Sequence, residues 1–310
     1  MLANILRISS KSIPKIKPKA FPIPFYQYRS IKNKPFIYSE NEEGDNKQQP
    51  TKENLDEYEI EQYKDYIYSY QKLGAKHDQA NNYDQAIECY ENALELCIAA
   101  FGKRNLTVAD SHIKLGLSNF YLGNNEVAAN NFQQALDIYQ KILSNHDDER
   151  LALCYQHIGA AYCAEGHYLK GLPQYEKALK IFNKLDPHGN PDTLNLLHQM
   201  GIVYDRLHKY EDSLQCWSKI IKMNVDFFGH NSPALAEANL NYGIAAFHTK
   251  DYKLAAETLT KAAGIYQKKH RGGDSEEIWK CHQMIGLAHM HQRNYDKGLE
   301  ALQKGLSLLR

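Results

Sequence analysis

Beyond residue 66 the chain repeats one pattern of apolar, small and polar positions every 42 or 43 residues. Six glycines mark its phase: Gly74, Gly116, Gly159, Gly201, Gly243 and Gly286. A large apolar residue or tyrosine precedes each of them, as in Leu73, Met200 and Tyr242. Nine positions after the glycine stand Tyr83, Tyr168, Tyr210, Tyr252 and Tyr295, with Asn125 in the second unit. Twelve positions after it comes a small residue (Ala86, Ala128, Gly171, Ser213, Ala255, Gly298) and sixteen after it a large one (Tyr90, Phe132, Tyr175, Trp217, Leu259, Leu302). Nineteen after it the residue is alanine or glycine in five units and Ile220 in the fourth. Steps of four and three put these last three columns on one helical face. The small residues let a second helix approach, and the large one fills the space beside them. Columns that agree across six units define an internal repeat.

Turn sequences divide each unit in two: Gly123-Asn124-Asn125, Glu165-Gly166-His167 and Lys250-Asp251 are examples. Longer polar connectors such as Asp186-Pro187-His188-Gly189-Asn190-Pro191 separate the units. Asn190-Pro191 and Ser232-Pro233 each read as an N-cap followed by proline at the first helical position. The pattern predicts an all-α chain of antiparallel helix pairs. They fall at 66–81 and 83–102, 106–122 and 125–143, 148–165 and 168–185, 190–207 and 210–227, 232–249 and 252–269, 274–292 and 295–310.

Charge divides the rest of the chain. Residues 1–39 hold eight Lys and Arg and no carboxylate, and five of the ten prolines. Residues 40–65 hold ten carboxylates against three lysines and read as an acidic linker, leaving 66–310 for the repeats. The first turns alternate Leu2, Ile5, Leu6, Ile8 and Ile13 with Arg7, Ser9, Ser10 and Lys11. This amphipathic, basic, hydroxyl-rich start resembles a mitochondrial transit peptide, for which a negative-inside potential attracts a cationic helix. A secretory signal fits less well, because the apolar h-region is missing.

Overall, 37 Lys and Arg balance 37 Asp and Glu, which argues against nucleic acid as the main partner. Hydrophobic residues make up 43% of the chain, enough for a core, and no run of 18 apolar residues occurs. Six cysteines in 310 residues do not form a secreted disulfide framework.

The repeat columns, as in Leu240-Asn241-Tyr242-Gly243 followed by Ala255, Leu259 and Ala262, resemble the tetratricopeptide repeat family over about 245 residues. The common unit has 34 residues. The longer unit here, with connectors such as Phe228-Gly229-His230-Asn231-Ser232-Pro233, is similar to the kinesin light chain subtype. The resemblance implies a right-handed α-solenoid of six helix pairs, with the first helix of each pair lining a concave groove that binds other polypeptides. In the kinesin light chain subtype, asparagines two positions before the glycine hold the backbone of an extended peptide. That column here reads Lys72, Lys114, His157, Gln199, Asn241 and Met284, so only Asn241 keeps the residue. Further along the first helices stand Phe120, Tyr121, Asp205, Arg206, Phe247 and His248, a mixture suited to a partly apolar peptide or helix. The Lys/Asn/Arg cluster by which tetratricopeptide co-chaperones grip a terminal carboxylate is not matched. The last helix gathers Leu299, Leu302, Leu306, Leu308 and Leu309, and Gly298 and Gly305 weaken it. These leucines form an expected docking edge for a partner subunit.

Catalytic and metal readings find little footing. His282, His289 and His291 do not form a facing i, i+4 pair, and no C-x-x-C, phosphate loop or nucleophile elbow occurs. No cofactor, metal, nucleic acid or small-molecule substrate is expected. The sequence therefore predicts a non-enzymatic scaffold in mitochondria, in the matrix or peripheral at the inner membrane. There it would be a subunit or assembly factor of a large complex such as those of the respiratory chain. The alternatives are a cytosolic kinesin-light-chain-like cargo or signalling adaptor and a regulatory subunit of an enzyme.

Overall fold

The computed structural model describes residues 57–307, apart from His146 and residues 271–275. Six helix pairs follow one another among these residues: α1 Glu57–Gln79 with α2 Tyr83–Phe101, α3 Leu106–Leu122 with α4 Asn125–Ile142, α5 Glu149–Ala164 with α6 Tyr168–Leu185, α7 Pro191–Arg206 with α8 Tyr210–Phe228, α9 Pro233–His248 with α10 Tyr252–His270, and α11 Glu276–His291 with α12 Tyr295–Ser307. Each helix packs on its neighbours in sequence, within a pair and from pair to pair. The pairs form a right-handed α-solenoid in which first helices of successive units meet, as α5 with α7 and α9 with α11. No strand occurs among the described residues.

The helix limits follow the sequence closely, with one difference. α1 starts at Glu57, so residues 57–65 open the first helix instead of belonging to the linker. Carboxylates at the first turn suit the positive end of a helix. Tyr63 supplies an apolar contact there, packing on the cluster of Ile67, Cys97 and Val108. The predicted targeting segment 1–39 and the remainder of the linker lie outside the described residues.

The repeating glycine has a steric cause. A Cβ on Gly74 would lie 2.8 Å from the Tyr90 ring, and one on Gly201 2.8 Å from Trp217. The same approach recurs at Gly116 with Phe132 (2.6 Å), Gly159 with Tyr175 (2.6 Å), Gly243 with Leu259 (2.6 Å) and Gly286 with Leu302 (2.7 Å). Distances this short leave no space for a methyl group in a close-packed interior. Each large residue comes from the second helix and lies flat on the backbone of the first. Phe132, Tyr175, Trp217 and Leu259 are fully buried in doing so.

The turn inside each unit is one motif used six times. Seven positions after the glycine the backbone is left-handed: Asn81, Gly123, Gly166, His208, Lys250 and Arg293 all have positive φ. The next residue's N–H reaches back five positions to a carbonyl, as in Asn82 to His77, Lys209 to Tyr204 and Asn294 to His289, at 2.8–2.9 Å. This is a Schellman closure of the first helix. Only two of the six left-handed positions are glycine, so four side chains carry the cost of that conformation.

Between units the closure is of another kind. Asn105, Asp148, Asn190 and Ser232 cap the first helices of units two to five, each accepting a backbone N–H through its side chain. The predicted caps Asn190 and Ser232, each followed by proline, are among them. The cores of units two to six merge into one cluster running from Ala109 to Ala245 and a second from Ala236 to Ala301, while unit one keeps two small clusters, around Ile67 and Cys97 and around Ala86 and Tyr90. α9 is shared: Ala238 and Ala245 belong to the first cluster, Ala236, Leu240 and Ala246 to the second.

Candidate protein-binding groove

First helices of consecutive units lie side by side, so residues near the repeating glycine meet their neighbours one unit away. Gln71 and Lys114 show the rule. The Lys114 ammonium donates to Gln71 Oε1 at 2.7 Å, and burial lowers its pKa. Gln156 Nε2 donates to Gln199 Oε1 at 3.4 Å in the same register. His198 Nε2 stands 3.6 Å from Glu237 Oε1. Polar contacts thus join the first helices across three of the five junctions. The residues three positions before the glycine (Gln71, Gln156, His198) supply one side of each, and the sequence reading overlooked them. Their signal was a recurrence in one column of long amide or imidazole side chains.

The predicted groove residues divide into two sets. His157, Gln199 and Phe120 are buried in packing, not displayed. The His157 ring stacks on Phe132 of the preceding unit at 5.0 Å, and burial holds its pKa down at about 4. Gln199 is 1% exposed. Phe120 is buried, in edge contact with Tyr121. Asp205 serves its own unit: Trp217 Nε1 approaches its Oδ2 at 3.4 Å, and desolvation pushes its pKa up to about 6. Asp78 does the same job in unit one, accepting from the Tyr90 hydroxyl at 2.8 Å. A carboxylate four positions after the glycine therefore receives the polar tip of the aromatic residue sixteen after it.

Tyr121 and His248 are also engaged. Tyr121 stacks on Tyr83 of the preceding unit (5.5 Å, 18°) and His248 on Tyr210 (4.4 Å, 10°). The arrangement recurs with His291 on Tyr252 (4.6 Å, 12°), and Phe247 meets Tyr252 and His291 edge-on. The tyrosine column recognised in the sequence is thus the lower half of a ring stack joining consecutive units.

Of the predicted groove residues Lys72 and Arg206 are exposed, and Asn241 and Phe247 are half-buried. Lys72 Nζ stands 5.8 Å over the Tyr68 ring. On the wall of units three and four, His157 Nδ1, Asn195 Nδ2 and Gln199 Nε2 have no hydrogen-bond partner among the described residues. Asn195 lies one turn before Gln199 on α7, so these two amides share a face. At the far end Leu302 covers Gly286 inside its own unit, while Leu299 and Leu306 are exposed. The expected docking edge is therefore reduced to those two leucines, and Leu309 lies outside the described residues.

All six cysteines are buried, and burial raises each thiol pKa, which suits packing residues and not nucleophiles. Among the described residues no group of three or more His, Cys, Asp and Glu is placed to hold a metal ion. No helix among them is long and apolar enough to cross a membrane.

A solenoid of helix pairs with polar contacts between its first helices defines a protein-interaction scaffold. The sequence profile of the tetratricopeptide repeat matches residues 67–141, 148–223 and 192–268, and the chain belongs to that family. A curated relative, Protein KINESIN LIGHT CHAIN-RELATED 2 of Arabidopsis thaliana, is 21% identical over 173 residues. That match covers 54% of this chain and only 25% of the relative. Among solved structures, BtubC (BKLC) from P. vanneervenii superposes with a TM-score of 0.57 at 16% identity, covering 79% of this chain and 90% of that one. The repeats of a Podosopora anserina putative kinesin light chain give 0.59 at 16% identity, covering 66% and 97%. MamA from Desulfovibrio magneticus RS-1 gives 0.51 at 17% identity, covering 65% and 95%. At these identities the likeness is one of fold.

Proposed function

We propose that this protein is a non-catalytic scaffold that holds an extended segment of a partner polypeptide along its concave wall. We place it in mitochondria, as a subunit or assembly factor of a large complex such as those of the respiratory chain. The observation that carries the binding role is the row of first-helix side chains that stays accessible, Lys72 and Arg206 exposed with Asn241 and Phe247 half-buried. Lys72 and Arg206 offer charged donors to the carbonyls or carboxylates of an incoming segment. Asn241 continues the row, and Phe247 offers an apolar contact beside it. Support for the compartment comes from the acid-free, basic residues 1–39.

Two experiments test the two halves. Residues 1–39 fused to a reporter should direct it into isolated mitochondria only while a membrane potential is present. A reporter that stays outside ends the mitochondrial reading. Full-length protein bearing Lys72→Ala and Asn241→Ala should lose most of the polypeptides that the wild type retains from an organelle extract, with Tm unchanged. Equal retention by both proteins ends the groove reading. The second reading, a cytosolic cargo or signalling adaptor, is favoured by the kinesin-light-chain-like relatives and by the repeat length. It predicts retention of a cytosolic partner and no import.

A further inference from the structure

Unit one differs from the others in charge and in what its outer end displays. Residues 57–102 carry nine carboxylates and three lysines. Asp84, Glu88, Glu91 and Glu95 recur at helical spacing along α2, all exposed, on the side opposite the buried Ala86, Ala93 and Cys97. α2 contains no Lys or Arg. Beside this stripe Tyr66 and Tyr70 of α1, with Asn92, Glu95 and Leu96 of α2, surround a depression of about 200 Å³. One repeat later the register of Tyr66, Tyr70 and Leu96 is held by Val108, His112 and Ile138. Val108 and His112 are buried there, and Val108 and Ile138 pack on Ile67 and Cys97 of unit one. In unit one the same register is open, and Tyr66 is 59% exposed. This end of the stack is therefore a helix-packing face that the described residues leave uncovered, bordered by carboxylates.

We propose that residues 1–39 of this same chain dock on that face, their leucines and isoleucines against Tyr66, Tyr70 and Leu96 and their cations along the α2 carboxylates. Charge complementarity selects this occupant: eight Lys and Arg without one carboxylate meet the most acidic unit of the solenoid. Tyrosine rings at the border add cation–π partners for the same side chains. The geometry permits it, because residues 40–56 can span about 55 Å when extended, roughly twice the length of α2. Tethering through such a segment supplies an effective concentration on the order of millimolar, so a weak contact suffices. In the folded precursor the docked segment is the one whose character resembles a transit peptide, so folding and exposure of the targeting signal oppose each other.

The test uses the full chain. Brief trypsin digestion, read by mass spectrometry, compares first cuts at Lys11, Lys15 and Lys19 with cuts at Lys47 and Lys52. The comparison protein carries Glu88→Lys, Glu91→Lys and Glu95→Lys, three exposed changes opposite the buried face, and its Tm is measured alongside. Docking predicts cutting at these three early lysines about tenfold slower in the wild type than in the variant, with the 47 and 52 sites equal in both. It also predicts that about 0.5 M salt removes the difference. Equal rates at the early lysines in the two proteins overturn the proposal. Protection that disappears on about hundredfold dilution also overturns it, since the occupant is then a second copy. None of the varied glutamates lies on the concave wall, so failure here leaves the groove reading intact, and failure of the groove reading leaves this one intact.

Discussion

Inside each unit a glycine meets a large side chain sixteen positions later, and the pairing holds six times. Between units the contact is less uniform: Tyr83 stacks on Tyr121, Asn125 Nδ2 donates to Glu165 at 2.9 Å, and Tyr210 and Tyr252 stack on His248 and His291. The first contact is made backbone to ring in a space with no slack, so it dictates residue type. The second lies at the rim of the solenoid, where water can take over part of the contact. Any flat or hydrogen-bonding pair serves there. Strictness in the repeat therefore follows confinement, and the variable rim is where one unit can differ from the next.

The sharpest break of this contrast is Gly201→Ala. Its new methyl would sit 2.8 Å from Trp217, and the overpacking should lower unfolding free energy by about 2–3 kcal/mol in chemical denaturation.

Next in size is a pair of pH effects of opposite sign. His157, at a junction, has a folded pKa depressed to about 4 by burial. Its contribution to stability is complete above the unfolded value near 6.5 and is lost as pH falls through 4. Asp205, inside a unit, has a folded pKa raised to about 6. Its contribution is complete below the unfolded value and is lost as pH rises through 6. His157→Phe should flatten the acid limb of a plot of Tm against pH, on the order of 2 kcal/mol. Asp205→Asn should remove the opposing slope between pH 4 and 6 and raise stability at pH 7 by about 1 kcal/mol.

Tyr252→Ala removes one rim stack and an edge contact with Phe247 and should cost about 1–2 kcal/mol, less than the change at Gly201. A cost equal to that of Gly201→Ala would erase the distinction between seam and rim. The smallest effect runs the other way. Lys250 is held at φ 67, and Lys250→Gly should stabilise by about 0.5–1 kcal/mol, as thermal melts can resolve.

The columns that were plain in the sequence are those with a steric cause. The Gly201–Trp217 spacing announced both the helix pair and the tight contact, and Asn190-Pro191 announced a helix start. The left-handed turn position was hidden because His208, Lys250 and Arg293 occupy it, residues with no chemical kinship that share only a backbone shape. The groove was harder to read. A residue on a first helix can face solvent, the same unit or the adjacent unit, and one sequence position does not distinguish the three. His157 and Asn241 occupy the same column, yet the first is buried on Phe132 and the second is half-buried. The start of α1 was masked by its acidity, since Glu57, Glu59 and Glu61 read equally well as linker and as the first turns of a helix.

The shared helix α9 carries a mechanical consequence. Its two faces serve separate apolar clusters, so tension or heat applied from the distal end can peel α10–α12 away while everything up to α8 keeps its interior dry. Such a chain yields in instalments, with α9 as the ratchet tooth on which the first release stops.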